Sequence, residues 1–159
     1  MDVSIVCVGK LKEQYWRDAC DEYAKRLSAF CRFSIVETAE ARLPKSPSSA
    51  EIAKALEEEG ERILQKLPSD GYVIAMCVEG DIMSSEQLAA NIARAAVSGR
   101  SSVAVVIGGS HGLSPAVKAR AHSRVSIGRM TFPHQLARVM MCEQLYRAFS
   151  INGGGQYHK

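Results

Sequence analysis

Three glycine-bearing segments each follow an apolar run that reads as a strand: Gly80, Gly108-Gly109-Ser110-His111-Gly112, and Gly128-Arg129-Met130-Thr131-Phe132-Pro133-His134. Glycine admits positive φ and lets a ligand approach the main chain closely. In open α/β sheets, ligands bind just beyond the carboxyl ends of the strands. One glycine there is punctuation, whereas glycines at three successive strand ends predict a pocket walled by backbone. The middle segment lacks the Lys-Ser/Thr of a phosphate-binding P-loop, which argues against ATP or GTP hydrolysis. It also lacks G-x-G-x-x-G spacing and a ribose-gripping acid ~20 positions later, which disfavours a dinucleotide site. Ser114-Pro115 reads as a helix start that could turn main-chain N–H groups toward an anion.

Other chemistries find little support. His111, His122, His134 and His158 stand at no familiar metal spacing, so no metal is expected. The five cysteines, Cys7, Cys20, Cys31, Cys77 and Cys142, are scattered without C-x-x-C spacing. They indicate neither a zinc site nor a disulfide framework, and a reducing cytoplasmic setting is the simplest home. No serine or cysteine has a local context that supplies a base.

Charge is strongly polarised along the chain. Residues 1–86 carry eleven basic and sixteen acidic side chains, a net of −5. Residues 87–159 carry nine and one, a net of +8, so the overall +3 conceals two unlike halves. Between Glu86 and Glu143 there is no carboxylate, but there are Arg94, Arg100, Lys118, Arg120, Arg124, Arg129 and Arg138. A surface cleared of acids suits a polyanion, because each added negative charge would repel phosphate.

The elements that must position these residues alternate in type. Val3–Val8, Phe33–Val36, Tyr72–Val78, Val103–Ile107 and Val125–Ile127 read as strands. Between them, Trp16, Ala19, Cys20, Tyr23 and Leu27 mark one helical face, and Ser48-x-x-Glu51 and Ser84-x-x-Gln87 are capping-box signals. The Glu57–Glu61 run reads as a solvated outer face. This order predicts a single α/β domain over residues 1–159, with a mostly parallel sheet flanked by helices. The N-terminus lacks the form of a signal peptide, and no run approaches the ~20 apolar residues that span a bilayer, so no membrane role is expected.

The final helix, from Pro133 to about Ile151, is apolar nearly all round: Leu136, Val139 and Met140 on one side, Met141, Leu145, Ala148 and Phe149 on the other. His134 with Arg138, and Glu143 with Arg147, leave two polar seams. Such a helix must be covered all round. Either other elements of the chain bury it or a second subunit does, and the latter predicts a symmetric homodimer.

Five stretches carry a resemblance to a known family. They are Val8-Gly9-Lys10-Leu11-Lys12-Glu13, Ile107-Gly108-Gly109-Ser110-His111-Gly112-Leu113, Met130-Thr131-Phe132-Pro133-His134-Gln135, Glu143-Gln144-Leu145-Tyr146-Arg147-Ala148 and Tyr157-His158-Lys159. Together they closely resemble the small SPOUT-class methyltransferases of the RlmH type over essentially the whole chain. The resemblance implies a SPOUT (alpha/beta-knot) fold with a C-terminal trefoil knot, a homodimer, and S-adenosyl-L-methionine as cofactor. It also implies methylation of N3 of a pseudouridine in helix 69 of bacterial large-subunit ribosomal RNA, within the assembled ribosome. Carried over by position, the cofactor contacts would be Met76, Gly108, Ile127, Gly128, Arg129, Met130, Thr131 and Phe132. Met76 replaces the family's usual leucine, a volume-conserving change.

For such a reaction a proton must leave N3, and the developing charge must be stabilised. The candidates are His134 or His158 as proton acceptor, and Arg129 or Arg138 as cation. Tyr157 would stack on the base as part of a tail hinged at Gly153-Gly154-Gly155. Two other readings stay open. A non-catalytic ribosome-associated RNA-binding protein would need only the charge split, and an enzyme of a small phosphorylated metabolite would need only the glycine loop.

Overall fold

The computed structural model describes residues 1–157; His158 and Lys159, and with them the expectation for His158, lie outside the described residues. The chain runs β1 (Asp2–Val8), α1 (Gln14–Leu27), β2 (Arg32–Thr38), α2 (Ser49–Leu64), β3 (Tyr72–Ile82), α3 (Ser85–Val97), β4 (Ser102–Ile107), α4 (Pro115–Arg120), β5 (Ser123–Ser126) and α5 (His134–Asn152). The five strands form one sheet in the order β2-β1-β4-β3-β5, every pairing parallel. Parallel strands need helical crossovers, which explains the strict alternation along the chain.

The period-2 alternation of the strands divides the core. Val3, Ile5 and Cys7 of β1, with Val103, Val105 and Ile107 of β4, pack under α1, α3 and α5 against Leu27, Leu88, Ile92, Met141 and Leu145. Val6, Val8, Ala104 and Val106 face the other way, against Ile63 of α2 and Val117 of α4. Both faces are therefore covered, as an all-parallel sheet requires.

Helix starts follow the local chemistry. Ser48 and Ser84 each close a full capping box, with Glu51 and Gln87 respectively. Ser114 caps α4 by accepting the Val117 N–H, with Pro115 in the first turn.

Two expectations are modified here. Strand β3 does not stop at Val78. It pairs with β5 through Met76↔Val125, departs, and returns at Asp81↔Val125. Gly80 makes the return possible, because a Cβ there would stand 2.7 Å from the Val125 backbone. That glycine serves strand packing rather than the pocket. Second, Glu59 is not on a solvated face: it is 8% exposed and accepts the Ala41 N–H at 3.0 Å.

Helix α5 packs between α1 and α3 on one side of the sheet, burying Ala137, Met141, Cys142, Leu145 and Ala148. Elements of the same chain thus supply part of the cover its sequence demands. Leu136, Val139, Met140, Tyr146 and Phe149 stay half-buried.

Candidate active site

Strands β3, β4 and β5 end side by side, and a cavity of about 740 Å³ opens among the segments that follow them. Met76, Ile107, Leu113, Val125, Ile127 and Phe132 provide apolar wall, while Gly108, Gly109, Gly112 and Gly128 provide backbone. The volume falls within the roughly 300–1,000 Å³ typical of cofactor pockets. The glycine loop is held shut by backbone: Gly109 bridges Gly112, whose N–H donates to the Gly109 carbonyl at 3.1 Å. Gly112 has φ +85°, a conformation that other residues rarely adopt. Ser126 shapes the facing loop, its hydroxyl donating to the Gly128 carbonyl at 2.8 Å and accepting the Gly128 N–H at 3.3 Å.

Most of the expected cofactor residues come together. Met76, Gly108, Ile127, Gly128, Met130, Thr131 and Phe132 line the cavity. Arg129 sits between two lining residues but is itself exposed and outside the wall. His134 opens α5 and also lines the cavity.

The other candidates lie elsewhere. Arg138 is 1% exposed and anchored. Its Nη1 pairs with Glu37 Oε1 at 2.6 Å, and its Nη2 donates to the Gly9 carbonyl at 3.0 Å. Its Nε has no partner among the described residues. Arg138 therefore ties the first turn of α5 to the ends of β1 and β2 instead of facing the cavity. The reason is tertiary, since Glu37 lies 101 residues away in sequence.

Tyr157 packs edge-on against Tyr146 with ring centroids 4.6 Å apart, under the Arg147 guanidinium at 4.7 Å. Burial and a hydrogen bond with Tyr23 push its phenol pKa up. Twelve residues of α5 separate His134 from Tyr146, about 18 Å of helix, so within one chain Tyr157 is held far from the cavity.

Glu79, which the sequence did not single out, and Lys118, read there only as one of the basic run, both line the cavity. They form an ion pair, and the hydrogen bond from Lys118 holds the Glu79 carboxyl below its usual pKa. Glu79 stands immediately before Gly80, and Lys118 one turn into the helix that begins after Ser114. Only folding across 39 residues makes them partners.

The basic segment is also less uniform in space than in sequence. Arg100 and Arg120 hydrogen-bond carbonyls of residues 68–71, at the opposite end of β3 from the cavity. Burial raises the thiols of Cys7, to about 12, and of Cys77, which leaves neither a ready thiolate nucleophile. Among the described residues no group of three or more His, Cys, Asp or Glu could hold a metal ion.

A backbone-walled, largely apolar cavity at the carboxyl ends of a parallel sheet defines an α/β protein built to bind a cofactor-sized organic molecule. The family description "Predicted SPOUT methyltransferase" matches residues 1–158, and the chain belongs to the SPOUT methyltransferase family. It is 51% identical to a protein of Bifidobacterium animalis subsp. lactis named ribosomal RNA large subunit methyltransferase H, over 100% of both chains. Proteins of the same name from Listeria monocytogenes serovar 1/2a and Lactiplantibacillus plantarum are 49% and 48% identical, again over the full length of each chain.

Proposed function

We propose that the protein transfers a methyl group from S-adenosylmethionine to N3 of a pseudouridine in helix 69 of large-subunit ribosomal RNA, acting on assembled ribosomes. The observation that carries this reading is the cavity itself. Its glycine-backed loops occur in a chain matched from end to end by enzymes named for methylating this RNA.

The residues present fit the cofactor. Met76, Ile107, Ile127 and Phe132 offer apolar surface for an adenine ring, and the backbone at Gly108, Met130 and Thr131 offers donors and acceptors for its edge and ribose, while Ser126 engages the N–H and carbonyl of Gly128. No atom lies within 4 Å of a Cβ built on Gly128, so main chain there can be approached closely. S-adenosylmethionine supplies an already activated methyl at its sulfonium, which leaves alignment and proton removal to the protein. His134, on the cavity wall, is placed to accept the N3 proton. Arg129, exposed between the lining residues Gly128 and Met130, is the candidate cation to stabilise charge developing on the ring carbonyls. Arg138 acts as a positioning residue, fixing the helix turn that carries His134.

We further infer a cytoplasmic homodimer containing the trefoil knot of its family. The half-buried apolar side chains of α5 support the dimer. The packing of Tyr157 on Tyr146, away from the cavity, supports a cover for the bound base that comes from a second subunit. No helix among the described residues is long and apolar enough to cross a membrane.

Incubating the purified protein with methyl-labelled S-adenosylmethionine and bacterial ribosomes, then mass-mapping the RNA, tests the reading. A single methyl on the helix 69 fragment is expected. RNA binding without any cofactor uptake in calorimetry would instead identify a non-catalytic RNA-binding protein. Turnover that needs no RNA would point to a small-molecule substrate.

A further inference from the structure

The cavity at the ends of β3, β4 and β5 is walled mostly by apolar side chains and main chain, yet an ion pair stands on it. Apart from the imidazoles of His111 and His134, Glu79 and Lys118 are the one acid and the one base among the described residues that line it. Two elements deliver them. Strand β3 leaves its ladder with β5 after Met76 and rejoins it at Asp81, and Glu79 lies in the stretch between. Lys118 comes from α4, where its carbonyl accepts the Arg124 Nε–H at 3.3 Å.

This pair does little to hold the fold. The Glu79 side chain is 57% exposed and that of Lys118 27%, and so open a pair contributes little to stability. The hydrogen bond from Lys118, then that from its own main-chain N–H, hold the Glu79 carboxyl below its usual pKa, so it is a carboxylate at neutral pH. Arg124 is close enough to add to that effect. An ammonium has more N–H donors, and a carboxylate more lone pairs, than one shared bond uses. Each can therefore still meet a ligand. A simple anion would be repelled by Glu79 and a simple cation by Lys118, whereas a zwitterion offers each its opposite.

We propose that Glu79 and Lys118 form the subsite for the amino-acid head of the cofactor, with Lys118 donating to its α-carboxylate and Glu79 accepting from its α-ammonium. The uncharged remainder of the wall is left to the adenosine. This rests on the S-adenosylmethionine reading above, and adds to it the residues that distinguish an adenosine bearing an amino-acid head from one without.

Calorimetry with S-adenosylhomocysteine and with 5′-methylthioadenosine, which has the thioether nucleoside but no head, reads the subsite without catalysis. The wild type should bind S-adenosylhomocysteine on the order of tenfold more tightly. In Glu79→Gln/Lys118→Met that preference should shrink to about twofold or less, while 5′-methylthioadenosine keeps its wild-type affinity and so shows the cavity intact. Decarboxylated S-adenosylhomocysteine, which retains the ammonium alone, assigns the two contacts. Lys118→Met should no longer tell it from S-adenosylhomocysteine, whereas Glu79→Gln should still favour S-adenosylhomocysteine.

A double variant that keeps the full preference would overturn the subsite. So would a wild type that binds both nucleosides equally, or a double variant that loses both alike, since the pair would then merely shape the cavity. Binding of neither ligand by the wild type would instead sink the cofactor reading itself, and the subsite with it.

Discussion

Replacing Gly108 with alanine should injure the fold before it touches the cofactor. A Cβ at Gly108 would stand 2.6 Å from the Gly112 carbonyl carbon, with the carbonyl oxygen closer still and Leu113 Cδ2 at 3.1 Å. The leucine can turn away, but the main chain of Gly112 is locked by its bridge to Gly109. Relief therefore requires opening the turn, and overpacking of this kind costs about 1–3 kcal/mol. Taking ~2 kcal/mol, and about 2–4 °C per kcal/mol for a domain of this size, the melting temperature should fall by roughly 4–8 °C.

Gly128→Ala is the internal control. It lies across the same cavity, has no atom within 4 Å of the added methyl, and does not need positive φ. It should melt at or slightly above the wild type, because alanine restricts the unfolded chain. Differential scanning calorimetry without ligand compares all three proteins, and titration with S-adenosylmethionine then reports the loop itself. Displaced Ser110 and His111 should weaken uptake in Gly108→Ala even at temperatures where it is folded. A Gly108→Ala protein melting within about 1 °C of wild type would refute the reasoning, as would an equal loss in Gly128→Ala.

Three further outcomes follow from named contacts. Arg138→Met strands Glu37 and the Gly9 carbonyl, and urea unfolding should show a loss of about 2–3 kcal/mol, discounted because the Glu37 side chain is 32% exposed. His122 Nδ1 accepts the Val73 N–H at 3.0 Å, which requires a neutral ring, and burial with Arg100 and Arg120 nearby holds its pKa below 6.5. As pH falls below about 6.5 the unfolded chain protonates first, so folded-state stability drops until the native ring itself titrates. His122→Phe, which keeps the stack on Tyr72, should lose the part of the melting-temperature profile that falls as pH drops below about 6.5. Ser48→Ala removes the acceptor of the Glu51 N–H and should cost about 1 kcal/mol by urea unfolding.

How far the sequence could be read depended on the range of the interaction involved. Strand and helix order, the capping serines at 48, 84 and 114, and the glycine loop rest on neighbours within a few residues. Local hydrogen bonding and periodicity determine such features, so they are legible without a fold. Two of the three glycine-bearing strand ends, at Gly108 and Gly128, were legible as cavity wall for the same reason, whereas Gly80 serves the pairing of β3 with β5. Three features waited for tertiary structure. Arg138 belongs to Glu37 and Gly9, 101 and 129 residues away. The basic run disperses because alternating crossovers carry Arg100 and Arg120 to one end of the sheet and Lys118 to the other. Glu59, in an acidic stretch that reads as solvent-facing, is turned inward by the chain after β2. A side chain's charge is written in the sequence, but what it faces depends on which distant backbone folds beside it.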